Sequence, residues 1–305
     1  MDFSDQFYRP GPSLHYGNAE AVLITAPKKA EMVSDRPIPA PRDDYILVKT
    51  VSVLNSTDWK HIEYLAPPGV LVGCDYAGDR VCGFVHGSNE VQPEDGAFAE
   101  HSDRVPDNVS IQEAATLGLG VTTAGQGLYQ SLKLALPNNP IKDPFAKLSG
   151  YKVYTTYSPR NFDLVKRLGA DEVFDYNDPS SATAIRDYTN NGLKLVFDTI
   201  SLASSASYCD RAEGGDYRAL LPVKIDRENV NDRATMAYTA IGEDFKFGDR
   251  AIPAKPEDKS FSENLWLIVE KLLVEGKIKA HPPRVCAGGL KVVLERLQLM
   301  KEGKV

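Results

Sequence analysis

Between residues 151 and 221 short β-branched or aromatic runs alternate with amphipathic helical stretches, a pattern that leaves few architectures open. Residues 151–156, 171–176, 193–198 and 217–221 read as strands, whereas 161–168, closed by Gly169, and 182–190 read as helices. Parallel strands need crossover helices between them, so this half is expected to be a doubly wound α/β sheet. Residues 234–241 are expected to add a last strand. An amphipathic helix is expected over 261–274 with Trp266 and Leu267 on its apolar side, and a final helix over 291–300.

Residues 20–136 have another character. Strands are expected at 21–25 and 45–53, on either side of the Pro-rich turn 37–41. Glycines then punctuate short strands in Gly73-Cys74-Asp75-Tyr76-Ala77-Gly78, Asp79-Arg80-Val81-Cys82-Gly83-Phe84 and Gly96-Ala97-Phe98-Ala99-Glu100-His101, which fits a small irregular barrel. Gly118 to Thr123 reads as a turn between helices at 112–115 and 125–134. A chain of 305 residues exceeds the roughly 150 of one domain. The expected division is 1–124 with 248–305 as the β-rich domain and 125–247 as the parallel-sheet domain.

The totals exclude several function classes. A net charge of −7 with scattered basic residues argues against nucleic acid or an acidic membrane as partner. No apolar run approaches the ~18 residues of a membrane span. Residues 1–12 carry acids and prolines rather than a basic start and apolar core, so a cytoplasmic location is expected. Cys74, Cys82, Cys209 and Cys286 lie far apart and read as reduced, mostly buried thiols. Cys74 and His86 make a conceivable metal pair, but two ligands without a third do not make a site, and no metal is expected.

Two junctions look abrupt. A dinucleotide-binding sheet should begin with a buried strand, a glycine-rich turn and a helix whose N-terminus holds the pyrophosphate. Before residue 151 there is only the polar stretch 137–144 and then Phe145-Ala146-Lys147-Leu148-Ser149-Gly150, which reads as the end of a helix without its beginning. Near 137–146 the first strand and its loop are missing. At Gly78-Asp79 one strand meets another with no turn between them. Two explanations compete: further residues belong at these points, or the polypeptide truly lacks them. A sheet without its central strand would leave backbone groups uncovered, which favours the first.

Thr155-Thr156-Tyr157-Ser158-Pro159-Arg160-Asn161 falls at the end of the second strand, where such folds read the adenosine ribose. An acidic residue there would suit NADH. A hydroxyl, a guanidinium and an amide instead suit a 2′-phosphate, since Arg donates two parallel charge-assisted hydrogen bonds. Taken alone, the segment reads equally well as an ordinary helix cap by Ser158 or Asn161 with Arg160 in solvent.

The order and spacing of several motifs tip this balance. Asn55-Ser56-Thr57-Asp58-Trp59-Lys60, the three glycine-punctuated segments above, Gly120-Val121-Thr122-Thr123-Ala124-Gly125, Ser158-Pro159-Arg160-Asn161-Phe162-Asp163-Leu164 and Gly169-Ala170-Asp171-Glu172-Val173-Phe174-Asp175-Tyr176 together resemble the zinc-free medium-chain dehydrogenase/reductase superfamily. Within it the resemblance is to the trans-acting enoyl reductases that serve fungal polyketide synthases. It runs over nearly the whole chain and implies a GroES-like catalytic domain beside a Rossmann cofactor domain. The zinc ligands of alcohol dehydrogenases are absent, Asn55 to Asp58 filling the usual first-ligand region.

The resemblance also implies roles. Thr57, Asp58, Trp59 and Lys60 would lie beside the nicotinamide, Trp59 chiefly as packing, and Thr122 would touch the cofactor. Ser158, Pro159, Arg160 and Asn161 would hold the 2′-phosphate of NADPH, Tyr176 the adenosine, and Leu220 and Leu221 the nicotinamide. Gly120, Thr123, Gly125, Gly242 and Glu243 would border the acyl substrate. Lys60 and Thr123 are the candidates for stabilising a developing enolate, with water as the proton source. Lys60 reads equally well as a solvated surface lysine. The implied partner is the acyl carrier domain of a polyketide synthase or a hybrid polyketide/peptide synthase, presenting an α,β-unsaturated thioester. A quinone or enone reductase of the same superfamily, and a synthase-binding scaffold without catalysis, are the alternatives.

Overall fold

The structure is a computed structural model that describes residues 17–39, 48, 50–52, 54–78, 81–96, 103–138, 148–209 and 215–304. In chain order the elements are β1 (Asn18–Ala26), β2 (Lys29–Pro37), β3 (Val51–Ser52), α1 (Ser56–Tyr64), β4 (Asp75–Gly78), β5 (Val81–Phe84), β6 (Asp103–Arg104), α2 (Ile111–Ala114) and α3 (Gly118–Gly125). A π-helical stretch, Gln126–Ser131, follows. Next come β7 (Tyr154–Tyr157), α4 (Phe162–Arg167), β8 (Glu172–Asp175), α5 (Ser181–Tyr188), β9 (Leu195–Asp198), α6 (Ala203–Ala206), β10 (Gly215–Ala219) and β11 (Val230–Ala234). The chain closes with β12 (Phe245–Phe247), β13 (Arg250–Ile252), α7 (Pro256–Val274) and α8 (Val293–Lys301). None of the described helices is long and apolar enough to cross a membrane.

The chain divides into two compact units, Met1–Thr122 with Tyr238–Val305, and Thr123–Ala237. The first holds the β1–β2 hairpin and a four-stranded antiparallel sheet in the order β3-β4-β5-β6. Val22, Ile24, Ala66, Val70, Val72, Val293 and Leu297 form one of its cores, against which Trp59 and Ile62 of α1 pack. Gly78 pairs with Val81 across a hairpin. The abrupt Gly78-Asp79 junction is therefore a two-residue connection, the commonest hairpin length, although Asp79 and Arg80 themselves lie outside the described residues. The Gly96 to His101 motif lies outside them from Ala97 to His101, as do all of 45–53 except Val48, Thr50, Val51 and Ser52.

Several expectations need correction. Gly118 to Thr123 is helical, not a turn. Its first glycine serves close packing: a Cβ on Gly118 would stand 2.2 Å from the Gly83 carbonyl oxygen and 2.7 Å from an Asp75 carboxylate oxygen. Gly118→Ala should accordingly destabilise the first unit by about 3 kcal/mol, the upper range for overpacking, read as a lowered urea midpoint at unchanged slope. The last parallel strand is β11, not 234–241, and Ala237–Ile241 is a 3₁₀ turn. β11 is almost wholly exposed and polar, as an edge strand can be, so it carries no apolar signal. In α7 Leu265, Trp266, Val269, Leu272 and Leu273 are buried, whereas Leu267 lies off that stripe and is 67% exposed.

Among the described residues the strand pairs of the second unit are parallel and fall in two groups: β7 with β8, and β9-β10-β11. Tyr188 of α5 packs edge-on against Tyr154 of β7 and Phe174 of β8. Gly169 ends α4 at φ +115°, as expected of its cap. Ala206, Tyr217, Ala219 and Ile225 form the small core around β10. A buried guanidinium braces the unit. Arg218, fully inaccessible, donates to Ser131 Oγ and carbonyl oxygen, to the Tyr217 and Asn231 carbonyls, and to Asp216 at 3.1 Å.

Candidate functional site

In the first unit the Asn55 to Lys60 motif opens α1 with a reciprocal cap. Asn55 Oδ1 accepts from the Thr57 amide at 2.9 Å, and Asp58 Oδ2 accepts from the Asn55 amide at 2.8 Å. Asn55 Nδ2 also donates to Asp75 at 2.7 Å, and the second Asp75 oxygen takes the Leu119 amide at 2.6 Å. Two carboxylates thus tie α1, β4 and α3 together. Burial raises Asp58 to about 7 and Asp75 to about 6, and the proximity of Asp75 adds to the rise at Asp58. Thr57 and Trp59 are half-buried. Lys60 is exposed, its Nζ 5.8 Å from the Trp59 ring centroid, with no carboxylate partner among the described residues.

Beneath this cap lies a chain of neutral groups that the sequence did not reveal. His61 Nδ1 lies 2.9 Å from the Gly87 carbonyl and must donate to it, which leaves Nε2 to accept from Tyr238 Oη at 3.4 Å. Cys74 Sγ is 3.3 Å from the same hydroxyl, and His86 stacks on the Tyr238 ring at 4.1 Å. Burial lowers His61 to about 4 and His86 to about 3, and pushes the Cys74 thiol and Tyr238 phenol well above their ordinary values. Cys74 is thereby a protonated, inert thiol. Among the described residues no group of three His, Cys, Asp or Glu side chains could hold a metal.

Thr122 is buried. Its hydroxyl donates to the Gly118 carbonyl and accepts from Trp266 Nε1 at 3.1 Å, a structural tie of α3 to α7. Gly120 is exposed, Thr123 half-buried and Gly125 buried along α3. Gly242, at φ +79°, and Glu243 follow the 3₁₀ turn that carries Tyr238. A Cβ on Gly242 would reach the Lys259 side chain at 2.7 Å.

In the second unit Ser158, Pro159, Arg160 and Asn161 leave the C-terminal end of β7 as a 3₁₀ turn. Ser158 stands at the N-cap position with Pro159 after it and Arg160 in solvent, but neither Ser158 nor Asn161 caps a backbone amide with its side chain. Asn161 Nδ2 donates instead to Ser158 Oγ at 3.3 Å. Arg160 is exposed with no ion pair among the described residues. Asp175, which ends the neighbouring strand opposite Tyr157, is occupied by the Asn177 amides. Tyr176 follows it, 54% exposed, its carbonyl accepting from Tyr208. This corner presents the exposed Arg160 guanidinium beside a mutually bonded Ser158 and Asn161, donors of the kind that a phosphate monoester uses.

Leu220 and Leu221 leave β10 under the control of residues the sequence did not single out. Ser201 Oγ accepts from both of their amides, at 2.9 and 3.1 Å. Ser201 itself is held at φ +59° by Asp198, whose Oδ1 takes the Ile200 and Ser201 amides while Oδ2 takes the Ser205 and Tyr217 hydroxyls. Against the cost of burial, these donors keep the Asp198 carboxyl below the ordinary carboxylate range. An Asp two or three positions before such a turn was a readable signal.

A dinucleotide fits this unit at one end only. Arg160, Ser158 and Asn161 are donors of the type that an adenosine 2′-phosphate would need. For the pyrophosphate the fold requires a glycine-rich turn ahead of β7, and Leu132 to Val153 contains a single glycine, Gly150, together with Pro137, Pro140 and Pro144.

No protein-family model matches the chain. It is 53% identical to the trans-enoyl reductase TOXD of Cochliobolus carbonum, over 81% of this chain and 99% of that one. It is 41% identical to the trans-enoyl reductase resD of Aspergillus sclerotiorum, over 94% of this chain and 97% of that one. That second alignment spans 347 positions while using 94% of 305 residues here, so about 60 positions face no residue of this chain. Among solved structures, the CurK enoyl reductase superposes with a TM-score of 0.67 at 15% identity, covering 93% of this chain and 96% of that one. This shows the shared fold.

Proposed function

The chain belongs to the trans-acting enoyl reductases, a branch of the zinc-free medium-chain dehydrogenase/reductase superfamily, and we propose that it reduces the α,β-double bond of acyl thioesters on a growing polyketide. Its scaffold is that of an oxidoreductase with a parallel-sheet, nucleotide-cofactor type of second unit. The reaction adds a hydride at the β-carbon and a proton at the α-carbon. In this reading the reductant is NADPH, the thioester is presented by the acyl carrier domain of a polyketide or hybrid synthase, and the setting is the cytoplasm. Lys60, exposed and unpaired with any carboxylate among the described residues, and Thr123 are the groups assigned to the developing enolate. Water delivers the proton.

The observation that carries the cofactor choice is the Ser158 to Asn161 corner, where Arg160 is exposed without an ion pair among the described residues and neither Ser158 nor Asn161 caps a backbone amide. A fluorescence titration with NADPH and NADH tests it, and binding without preference for NADPH would sink it. Arg160→Ala should weaken NADPH about tenfold, the loss of one exposed charge-assisted contact, and leave NADH unchanged. The absent glycine turn favours a second reading, a synthase-binding protein without hydride transfer. Turnover of a crotonyl thioester with NADPH would exclude that reading.

A further inference from the structure

In the doubly wound order 3-2-1-4-5-6 the first strand lies in the middle and joins the pair 3-2 to the triplet 4-5-6. The second unit shows that pair and that triplet without the joining strand. β8-β7 stands for 3-2, β9-β10-β11 stands for 4-5-6, and among the described residues no strand pairs with the free edge of β7 or of β9. The missing strand would have to precede β7 in the chain. From Leu132 to the end of β7 there are 26 residues, short of the roughly 30 of a whole βαβ unit. The residues outside the description there, 139–147, contain no glycine at all.

The turn that is missing supplies backbone amides and a helix N-terminus to the two bridging phosphates. Ser158, Arg160 and Asn161 stand after β7 and are intact. We propose that this chain grips NADPH by its adenosine 2′-phosphate alone, with the diphosphate and nicotinamide adding nothing to affinity. The proposal rests on the assignment of the Ser158 to Asn161 corner to the 2′-phosphate.

Titration calorimetry of the intact chain with adenosine 2′-monophosphate and with NADPH tests it, alongside ³¹P spectra of bound NADPH. The expected result is a pair of dissociation constants within about threefold of each other, with the 2′-phosphate resonance shifted and the diphosphate resonances unmoved. NADPH binding tenfold or more tighter than the monophosphate, or a shifted diphosphate signal, would overturn the proposal. Binding of neither would instead defeat the assignment of the corner, and the proposal with it. As a second arm, a strand, a glycine-rich turn and a helix of the dinucleotide-binding type are inserted between Pro137 and Phe145. Retained monophosphate binding reports that the unit still folds. NADPH affinity should then rise at least tenfold, and an unchanged NADPH affinity in that folded variant counts against the proposal.

Discussion

Arg218→Ala should cost the second unit about 3 kcal/mol, from a fully buried side chain removed and buried acceptors such as the Tyr217 carbonyl left without its donor. The side chain is fully buried and satisfies the Ser131 carbonyl and hydroxyl, two β-strand carbonyls and Asp216. Alanine leaves the Tyr217 carbonyl without this donor and removes the hydrogen bonds that join the π-helical stretch to β10. Asp216 retains Arg233 at 2.9 Å, so the loss falls mainly on the carbonyls. Calorimetry should show the transition of the second unit lowered by ~10 °C or more and that of the first unit unmoved. Arg218→Lys should recover only part of this, because an ammonium cannot reproduce the planar fork of donors. A shift of only a degree or two for alanine would mean that water or a rearranged neighbour replaces the guanidinium.

Asp58→Asn should stabilise the protein at alkaline pH and do little at acid pH. The folded carboxyl sits at about 7, above its unfolded value near 3.9, so the folded state holds a proton that the unfolded state has already released. Wild-type stability from this group is therefore complete below pH 4 and is lost as pH rises toward 7. Asparagine can still accept from the Asn55 amide while removing the charge. The stability gap between variant and wild type should open between pH 4 and 7 and level off above, on the order of 2–4 kcal/mol. Taking the difference cancels the opposite trend from His61 and His86. Their depressed values hold them neutral in the fold, so they lose stability as pH falls below about 6.5. Urea unfolding of both proteins from pH 4 to 9 measures the gap, and a flat difference would show that Asp58 titrates normally.

The α/β alternation was legible because each element there has its own period and its own stop, as Gly169 does for α4. What misled was glycine with a second use. Gly118 reads as a turn residue but is there because the chain passes close to Gly83 and Asp75, and contact of that kind leaves no local trace. Gly127 is the same, since a Cβ would strike the Phe197 ring at 2.4 Å. β11 was missed because an exposed edge strand needs no apolar face. In the site, Ser158 to Asn161 was singled out through its chemistry, whereas the Cys74, Tyr238 and His61 chain joins residues up to 177 positions apart and no spacing rule could assemble it. Arg218 was detectable in principle, because a guanidinium inside an otherwise apolar strand must find buried acceptors.

The ends of β9 and β10 carry one further consequence. Leu220 and Leu221 offer their amides to the single oxygen of Ser201, and Ser201 is tied in its left-handed backbone by Asp198, which takes its amide and its hydroxyl. The information that places those two leucines is therefore written some twenty residues upstream. A drift that replaced both leucines with other apolar residues would leave their backbone where it is. A single change at Asp198 or Ser201 would move it, so heredity at this corner resides in the serine and the aspartate rather than in the leucines they aim.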